Sequence, residues 1–194
     1  MLAALVALGV APVRAQVTEA PKAELFPDPS KFSYGLYTAG DLGAVIVLGP
    51  AGSHLRPGWG LGLTVGYDLT RWLAVEARGL GSTHVTEFPD APQDGELMQL
   101  YHLSGALKLS LRYRYFAAAL DGGAGLVRAS TNILTTTPGL GQRQNSLAYG
   151  GGLSLEYHTL SRHFAFGVRG TFFHVPAFGG SHTLVTTAFV RYTF

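Results

Sequence analysis

Alternation between apolar residues and small or polar residues recurs along most of this chain, and it constrains the fold more than any other feature. In an extended strand successive side chains point to opposite faces, so this alternation gives each segment one apolar face. The pattern occurs in eight segments, at residues 34–48, 58–68, 72–85, 97–113, 115–130, 145–158, 163–175 and 182–194. Each segment reaches the length of about ten residues that a tilted strand needs to cross a bilayer. The sequence therefore predicts eight membrane-spanning β-strands.

The connections between these segments alternate in length. Those after the first, third, fifth and seventh segments are mostly longer than the others, and almost no residues separate the fourth segment from the fifth. Short turns at one end and longer loops at the other are typical of bacterial membrane barrels. An even number of strands also places both termini on one side. We therefore predict an all-β fold, an eight-stranded antiparallel up-and-down transmembrane β-barrel with periplasmic termini.

The composition fits this prediction better than it fits a soluble domain. Charged residues make up 13% of the chain and hydrophobic residues 47%, whereas a soluble protein carries about 25% charged residues. No run of about 18 apolar residues follows the N-terminal region, so a transmembrane helix is not expected. The absence of cysteine excludes disulfides, thiolate nucleophiles and cysteine-ligated metals. A net charge of +2, carried by scattered basic residues, does not favour nucleic-acid binding.

The N-terminal region reads as a secretion signal. Residues 1–11 are almost wholly small or apolar, and Val13-Arg14-Ala15 fits a small-residue cleavage pattern. No Lys or Arg precedes the apolar run, which leaves open whether Met1 is the true start, and a buried N-terminal strand or helix is the alternative. We predict a signal peptide at 1–15, a proline-rich periplasmic lead-in at 16–31 and the barrel at 32–194.

The last segment indicates which face of each strand meets lipid. Arg191 alternates with Phe194, and an arginine facing the bilayer midplane costs roughly 2–4 kcal/mol. Arg191 should therefore face the interior and Phe194 the lipid. The same test, applied to the other segments, gives a set of interior charges: Asp41, Glu76, Arg78, Lys108, Asp121, Glu156, Arg169 and Arg191.

These interior residues comprise four acids and four bases. Buried charges persist only when they are paired, and an eight-stranded barrel is just wide enough inside for side chains. Inward glycines should make room for the long charged side chains; they include Gly58, Gly60, Gly62 and Gly66. We predict a closed interior without a broad pore. The leucine-rich and aromatic outward face argues against a soluble barrel of lipocalin type.

Aromatic residues also cluster beside the short turns. They are Tyr67, Trp72, Tyr113, Tyr115, Tyr157, Tyr192 and Phe194. Aromatic rings with one apolar and one polar end favour the boundary between lipid and water. The cluster therefore predicts an interfacial girdle at the periplasmic end of the barrel.

Two segments resemble bacterial outer-membrane proteins. Residues 188–194, with Val190, Tyr192 and Phe194 on one face, are similar to the C-terminal signal that the barrel-assembly machinery reads in that family. Residues 62–76 resemble a hairpin of the OmpA/OmpX-like superfamily. The resemblance implies the outer membrane of a Gram-negative bacterium, with membrane lipid, lipopolysaccharide and the assembly machinery as partners. It does not fix a function, because one fold serves many functions.

The sequence contains no convincing catalytic or metal-binding pattern. Histidines and serines occur near the predicted outer side, at Ser82, His84, His102, Ser104, His174, Ser181 and His182. A triad needs a serine, a histidine and an orienting acid in contact. Ser82 and His84 share one face of a strand, but no acidic residue follows the same alternation. A metal site would combine His174 and His182, which flank one outer loop, with His54, but histidines at a wet interface explain these residues better. We predict no catalytic residue, cofactor or metal.

The leading functional hypothesis is therefore a non-enzymatic structural or interaction component of the cell envelope, as part of a larger complex such as a motility or secretion machine. Its contacts would be made through the lead-in or the outer loops, at residues 131–144 and at Glu87, Asp90, Asp94 and Glu96. Two alternatives remain open. They are a small channel and a lipid A-modifying enzyme, since small barrels of this kind also serve those functions.

Overall fold

The computed structural model describes residues 34–88, 94–130, 144–160 and 163–194. Within these ranges the chain forms eight strands and one short 3₁₀ turn at Gly52–His54. The strands are β1 (Leu36–Leu48), β2 (Gly58–Asp68), β3 (Leu73–Val85), β4 (Leu97–Tyr113), β5 (Phe116–Ala129), β6 (Asn145–His158), β7 (Phe164–Val175) and β8 (Ser181–Thr193). No helix in the described ranges is long and apolar enough to span a membrane. The predicted signal peptide and lead-in lie outside the described residues.

Each strand pairs antiparallel with its neighbours in sequence, and β8 pairs with β1 to close the barrel. The predicted fold class and strand count are confirmed. The strand limits differ by at most two residues from the alternating segments. The largest difference is at β1, which begins at Leu36 rather than Tyr34, because Gly35 adopts a φ of 128°. That backbone conformation favours glycine and lies outside the β region.

The connections define two ends of the barrel. The connections after β2, β4 and β6 join successive strands at one end, here called the turn end. The connections after β1, β3, β5 and β7 lie at the opposite end, here called the loop end, and most of them are longer. Between the paired residues Tyr113 and Phe116 only two residues connect β4 to β5. The first of them, Arg114, has a φ of 53°, and tight hairpin turns require such a positive φ.

The outward face of the barrel is apolar. Leu103, Leu111 and Leu153 expose 63%, 82% and 66% of their surface. Exposed apolar area costs about 25 cal/mol per Å² in water, and lipid tails remove that cost. At the turn end the exposed aromatic residues include Tyr67, Trp72, Tyr113, Phe116, Tyr157, Phe164 and Phe194. This surface fits a bilayer with an aromatic boundary.

The interior has two layers of different chemistry. Charged side chains occupy the half nearer the turn end, and a buried apolar cluster occupies the half nearer the loop end. Phe173, Met98 and Val185 lie in this cluster, and the loop residues Leu55 and Phe178 extend it toward the loop end. The alternating pattern did not predict this apolar layer, because alternation separates inside from outside but does not say which inward residues are polar.

The inward glycines make room mainly for rings and aliphatic groups rather than for long charged side chains, which corrects the expectation from the sequence. A Cβ atom on Gly66 would overlap the ring of Tyr37, and one on Gly58 would lie 2.7 Å from Nδ1 of His84. At Gly60 the nearest side chains are those of Leu80 and Val45. Gly62 does face the Cβ of a charged residue, Asp41, at 3.2 Å, together with Leu80.

Candidate functional site

The structure places all eight predicted interior charges inside the barrel, each with at most 9% of its surface exposed. Two further charged residues join them, Asp68 and Arg112, whose side chains are 2% and 6% exposed. The interior charge network, as we call these ten residues, therefore holds five acids and five bases. A neutral sum meets the requirement that buried charges be paired.

Glu76 occupies the centre of this network. Its carboxylate pairs with Arg78, lies 3.5 Å from Nζ of Lys108 and lies 3.8 Å from a terminal nitrogen of Arg169. The hydroxyl of Tyr37 donates a hydrogen bond of 2.6 Å to the same carboxylate. The side chain of Glu76 is fully buried, so all four of its partners belong to the protein.

The other acids link the network around the barrel wall. Arg78 donates a 2.7 Å hydrogen bond from Nη1 to Asp121, and Arg169 lies 3.4 Å from Asp41. On the other side Glu156 pairs with Lys108 and lies 3.5 Å from Arg191. The ion pairs join every strand of the barrel through side chains as well as through the backbone.

Asp68 and Arg112 extend the network to the turn end. Asp68 pairs with Arg191 and lies 3.2 Å from Nη2 of Arg112. The guanidinium of Arg191 also lies over the ring of Tyr37, 3.6 Å from its centroid. Asp68 and Arg112 are absent from the interior charges predicted from the sequence. The alternation does contain this information. Asp68 lies on the same inward face of β2 as Thr64, and Arg112 lies on the same inward face of β4 as Lys108.

Two small cavities lie inside the described part of the barrel. One cavity of about 40 Å³ lies where the two layers meet, lined by residues that include Asp41, Arg78, His102 and Arg169. A second cavity of about 20 Å³ lies in the apolar layer beside Ser82 and Leu100. A water molecule needs roughly 10–15 Å³ of such volume, so these cavities hold a few water molecules at most. They do not hold a substrate of the size of a lipid.

Ser82 and His84 make a contact that resembles part of a hydrolytic site. The Nε2 atom of His84 lies 3.1 Å from the hydroxyl of Ser82, and Nδ1 lies 3.1 Å from the carbonyl of Arg56. Since a carbonyl only accepts, Nδ1 carries the proton and Nε2 accepts from the serine. A main-chain carbonyl thus stands where a triad has an acid. His84 is 1% exposed and Ser82 is 5% exposed, so substrate has no access to this pair.

The predicted loop contacts are in part engaged with their own loop. Glu87 pairs with Arg56 at 2.5 Å on the surface, and this hydrogen bond raises the pKa of Arg56 above its usual value. A carboxylate oxygen of Asp94 accepts a 3.0 Å hydrogen bond from the backbone nitrogen of Phe88. Glu96 is exposed and contributes its carbonyl to the loop. Asp90 and residues 131–143 lie outside the described residues.

The residues of the predicted assembly signal share the outward face. Val190, Tyr192 and Phe194 expose 46%, 36% and 63% of their surface. Tyr192 contacts the rings of Phe164 and Phe194, with centroids 5.0 and 5.1 Å away. The backbone nitrogen of Phe194 donates to the carbonyl of Leu36, so the last residue of the chain contributes to the closure of the barrel.

The sequence from residue 2 to residue 187 matches the family model described as outer membrane protein beta-barrel domain. The chain belongs to this outer-membrane β-barrel family. It is thus a barrel of the outer membrane of a Gram-negative bacterium, as the resemblance of its last strand implied. No curated protein matches the sequence.

Solved barrels of this class have the same fold. Neisserial surface protein A matches with a TM-score of 0.63 and 17% identity, over 82% of this chain and 97% of that one. The outer membrane protein OprG from Pseudomonas aeruginosa matches with a TM-score of 0.52 and 14% identity, over 84% and 95%. The outer membrane enzyme PagL matches with a TM-score of 0.49 and 11% identity, over 81% and 99%. At these identities the likeness to Neisserial surface protein A and to OprG shows the fold alone, and the match to PagL, with a TM-score under 0.5, supports no conclusion.

Proposed function

We propose that this outer-membrane barrel is a closed structural or interaction component of the cell envelope, which acts through its loops and not through its interior. The observation that carries the proposal is the filled interior, with one layer of ion pairs and one layer of apolar side chains. Both layers would have to be disrupted to open a path for a solute. Partners would include envelope proteins, with a motility or secretion machine as one such assembly.

The two interior layers disfavour a channel for different reasons. Opening the charged layer would separate buried ion pairs such as Arg78 and Asp121, and breaking a buried pair costs about 3–5 kcal/mol. Opening the apolar layer would expose Phe173, Val175 and Met98 to water. These costs add along any route through the barrel.

A conductance measurement tests the closed barrel directly. We expect the full chain, reconstituted in planar bilayers, to show no discrete conductance steps. A reference porin under the same conditions supplies the positive control. Reproducible single-channel steps from the folded protein would refute the closed barrel and favour the channel.

The buried position of Ser82 and His84 disfavours the enzyme. Loss of the gene should leave the mass profile of lipid A unchanged. An altered profile that is restored by the wild-type gene but not by Ser82→Ala would favour the enzyme.

The interaction hypothesis has its own test. Affinity capture from detergent-solubilised envelopes should return a specific partner, and the exchange of Glu87 and Glu96 for Gln should weaken that capture if the acidic loop makes the contact.

A further inference from the structure

Two histidines meet on the outer surface of the barrel near the loop end. His174 in β7 and His182 in β8 are directly opposite each other in the strand register, and both are partly exposed. Their Nδ1 atoms face each other at 3.3 Å, and their ring centroids lie 4.8 Å apart. The interior charge network and the apolar layer use neither residue.

The separation of the two nitrogens matches a shared metal ion. Two imidazole nitrogens that bind one tetrahedral zinc ion at about 2.0–2.1 Å lie about 3.3–3.4 Å apart, with ring centres about 5 Å apart. The observed distances of 3.3 and 4.8 Å agree with both values. A direct hydrogen bond from an N–H group is usually about 2.7–3.2 Å long. At 3.3 Å the two nitrogens are within reach of a long hydrogen bond in the metal-free protein, and the same separation lets both rings bind one ion without rearrangement.

The neighbouring residues hold the two rings in this arrangement. The ring of Phe172 stacks on His182 with centroids 5.0 Å apart, and the ring of Tyr149 meets His174 edge-on at 5.3 Å. The connection from residue 176 to residue 180 is tied down as well, because Phe178 is 4% exposed and accepts a hydrogen bond from the backbone of Ser181. Ligands fixed in advance lose less entropy when they bind a metal.

We propose that His174 and His182 form a binding site for a divalent late first-row transition metal, with Zn²⁺ and Cu²⁺ as the ions that imidazole ligands suit best. No group of three His, Asp or Glu residues that could hold a metal occurs among the described residues. The described part of the chain therefore supplies two ligands, and we expect water to complete the coordination. The third candidate from the sequence, His54, lies elsewhere, stacked on Phe88 at 4.9 Å.

Zinc titration of the full chain, folded in detergent micelles and free of any histidine tag, tests the site. We expect one equivalent of Zn²⁺ to bind by calorimetry, and His174→Asn or His182→Asn to weaken binding by at least about tenfold. With Cu²⁺, electron paramagnetic resonance should show coupling to two imidazole nitrogens in the wild type and to one in either variant. His54→Asn and His163→Asn serve as matched controls and should bind like the wild type.

Two outcomes of the zinc titration count against the proposed site. No stoichiometric binding by the wild type would overturn the proposal, and so would binding that survives the loss of both His174 and His182. Both residues lie on the surface, so we expect the variants to fold, and the shift in gel mobility between heated and unheated barrel verifies this. A variant that does not fold is replaced by His174→Gln or His182→Gln, which retain a polar side chain of similar length.

Discussion

The carboxylate of Glu76 faces three cations in a space closed to water. Arg78, Lys108 and Arg169 all lie within 4 Å of it. Each cation also has a second acid nearby: Asp121 for Arg78, Glu156 for Lys108 and Asp41 for Arg169. Removal of Glu76 would therefore leave no cation wholly unpaired, but it would leave five buried bases with four acids.

We expect Glu76→Gln to lower the free energy of unfolding by roughly 3–5 kcal/mol, which is the usual cost of removing one partner from a buried ion pair. The amide has nearly the same shape as the carboxylate, so the loss measures charge rather than packing. Urea unfolding of the barrel from lipid vesicles, followed by tryptophan fluorescence, gives the value.

The control for this variant is Glu87→Gln, which removes a carboxylate from an exposed pair with Arg56. Exposed pairs contribute about 0–1 kcal/mol. Equal losses of unfolding free energy from the two substitutions would contradict the role assigned to the buried charge of Glu76. The double variant with Glu76→Gln and Lys108→Met should lose less free energy of unfolding than the sum of the two single variants. The double substitution removes the carboxylate together with one of its cations, so less buried charge is left without a partner.

At the scale of the strands, β2 shows how a glycine positions a ring. Gly66 lies opposite Tyr37 in the register between β1 and β2, and the ring of Tyr37 covers it. The ring then reaches both Glu76 and the guanidinium of Arg191. A side chain at residue 66 would move the ring away from both contacts.

We expect Gly66→Ala to destabilise the barrel by about 1–3 kcal/mol through overpacking against Tyr37. Gly40→Ala is a matched control, because Gly40 also lies in a strand and a Cβ there would have no neighbour within 4 Å. The control should be neutral or slightly stabilising. Similar losses in both variants, measured by the same urea titration, would assign the effect to the backbone and refute the role of Tyr37.

The last strand offers a test of the assembly signal. We expect Phe194→Ala to slow insertion into vesicles that contain the barrel-assembly machinery and to leave spontaneous folding into short-chain lipid vesicles nearly unchanged. Phe164→Ala is the control, since Phe164 is another exposed aromatic residue of the turn end. A slowing of both variants in both systems would show that the ring acts as a membrane anchor and not as a signal.

The elements were largely predictable from sequence, and their contacts were not. Period-two alternation and the cost of arginine in lipid are enough to place Arg191 and Glu156 inside the barrel. One face of each strand meets lipid and the other meets the interior, and only the interior accepts charged side chains. The pairing of Asp68 with Arg191 requires two strands that are 123 residues apart to be brought into register. The approach of His174 and His182 across one hairpin could be expected from sequence, because the two residues flank the same loop. Their separation of 3.3 Å depends on the conformation of that loop, which has positive φ at Gly179 and Gly180.

At the scale of the whole molecule, the interior charges are shielded from dissolved ions. Salt screens exposed charges over about 10 Å at 0.1 M and screens buried pairs much less. We expect the free energy of unfolding to change by less than about 1 kcal/mol between 0.05 and 1 M NaCl, since only exposed pairs such as Arg56 and Glu87 respond. A loss of several kcal/mol at high salt would mean that ions reach the interior.

The ion pairs that span the interior also bear on how the barrel enters the membrane. Arg169 meets Asp41 across 128 residues, and Arg191 meets Asp68 across 123. A hairpin that crossed the bilayer alone would carry a charge whose partner was still in water. We therefore expect β1 and β2 to meet β7 and β8 before or during the crossing, so that insertion is a single concerted event rather than the stepwise addition of hairpins.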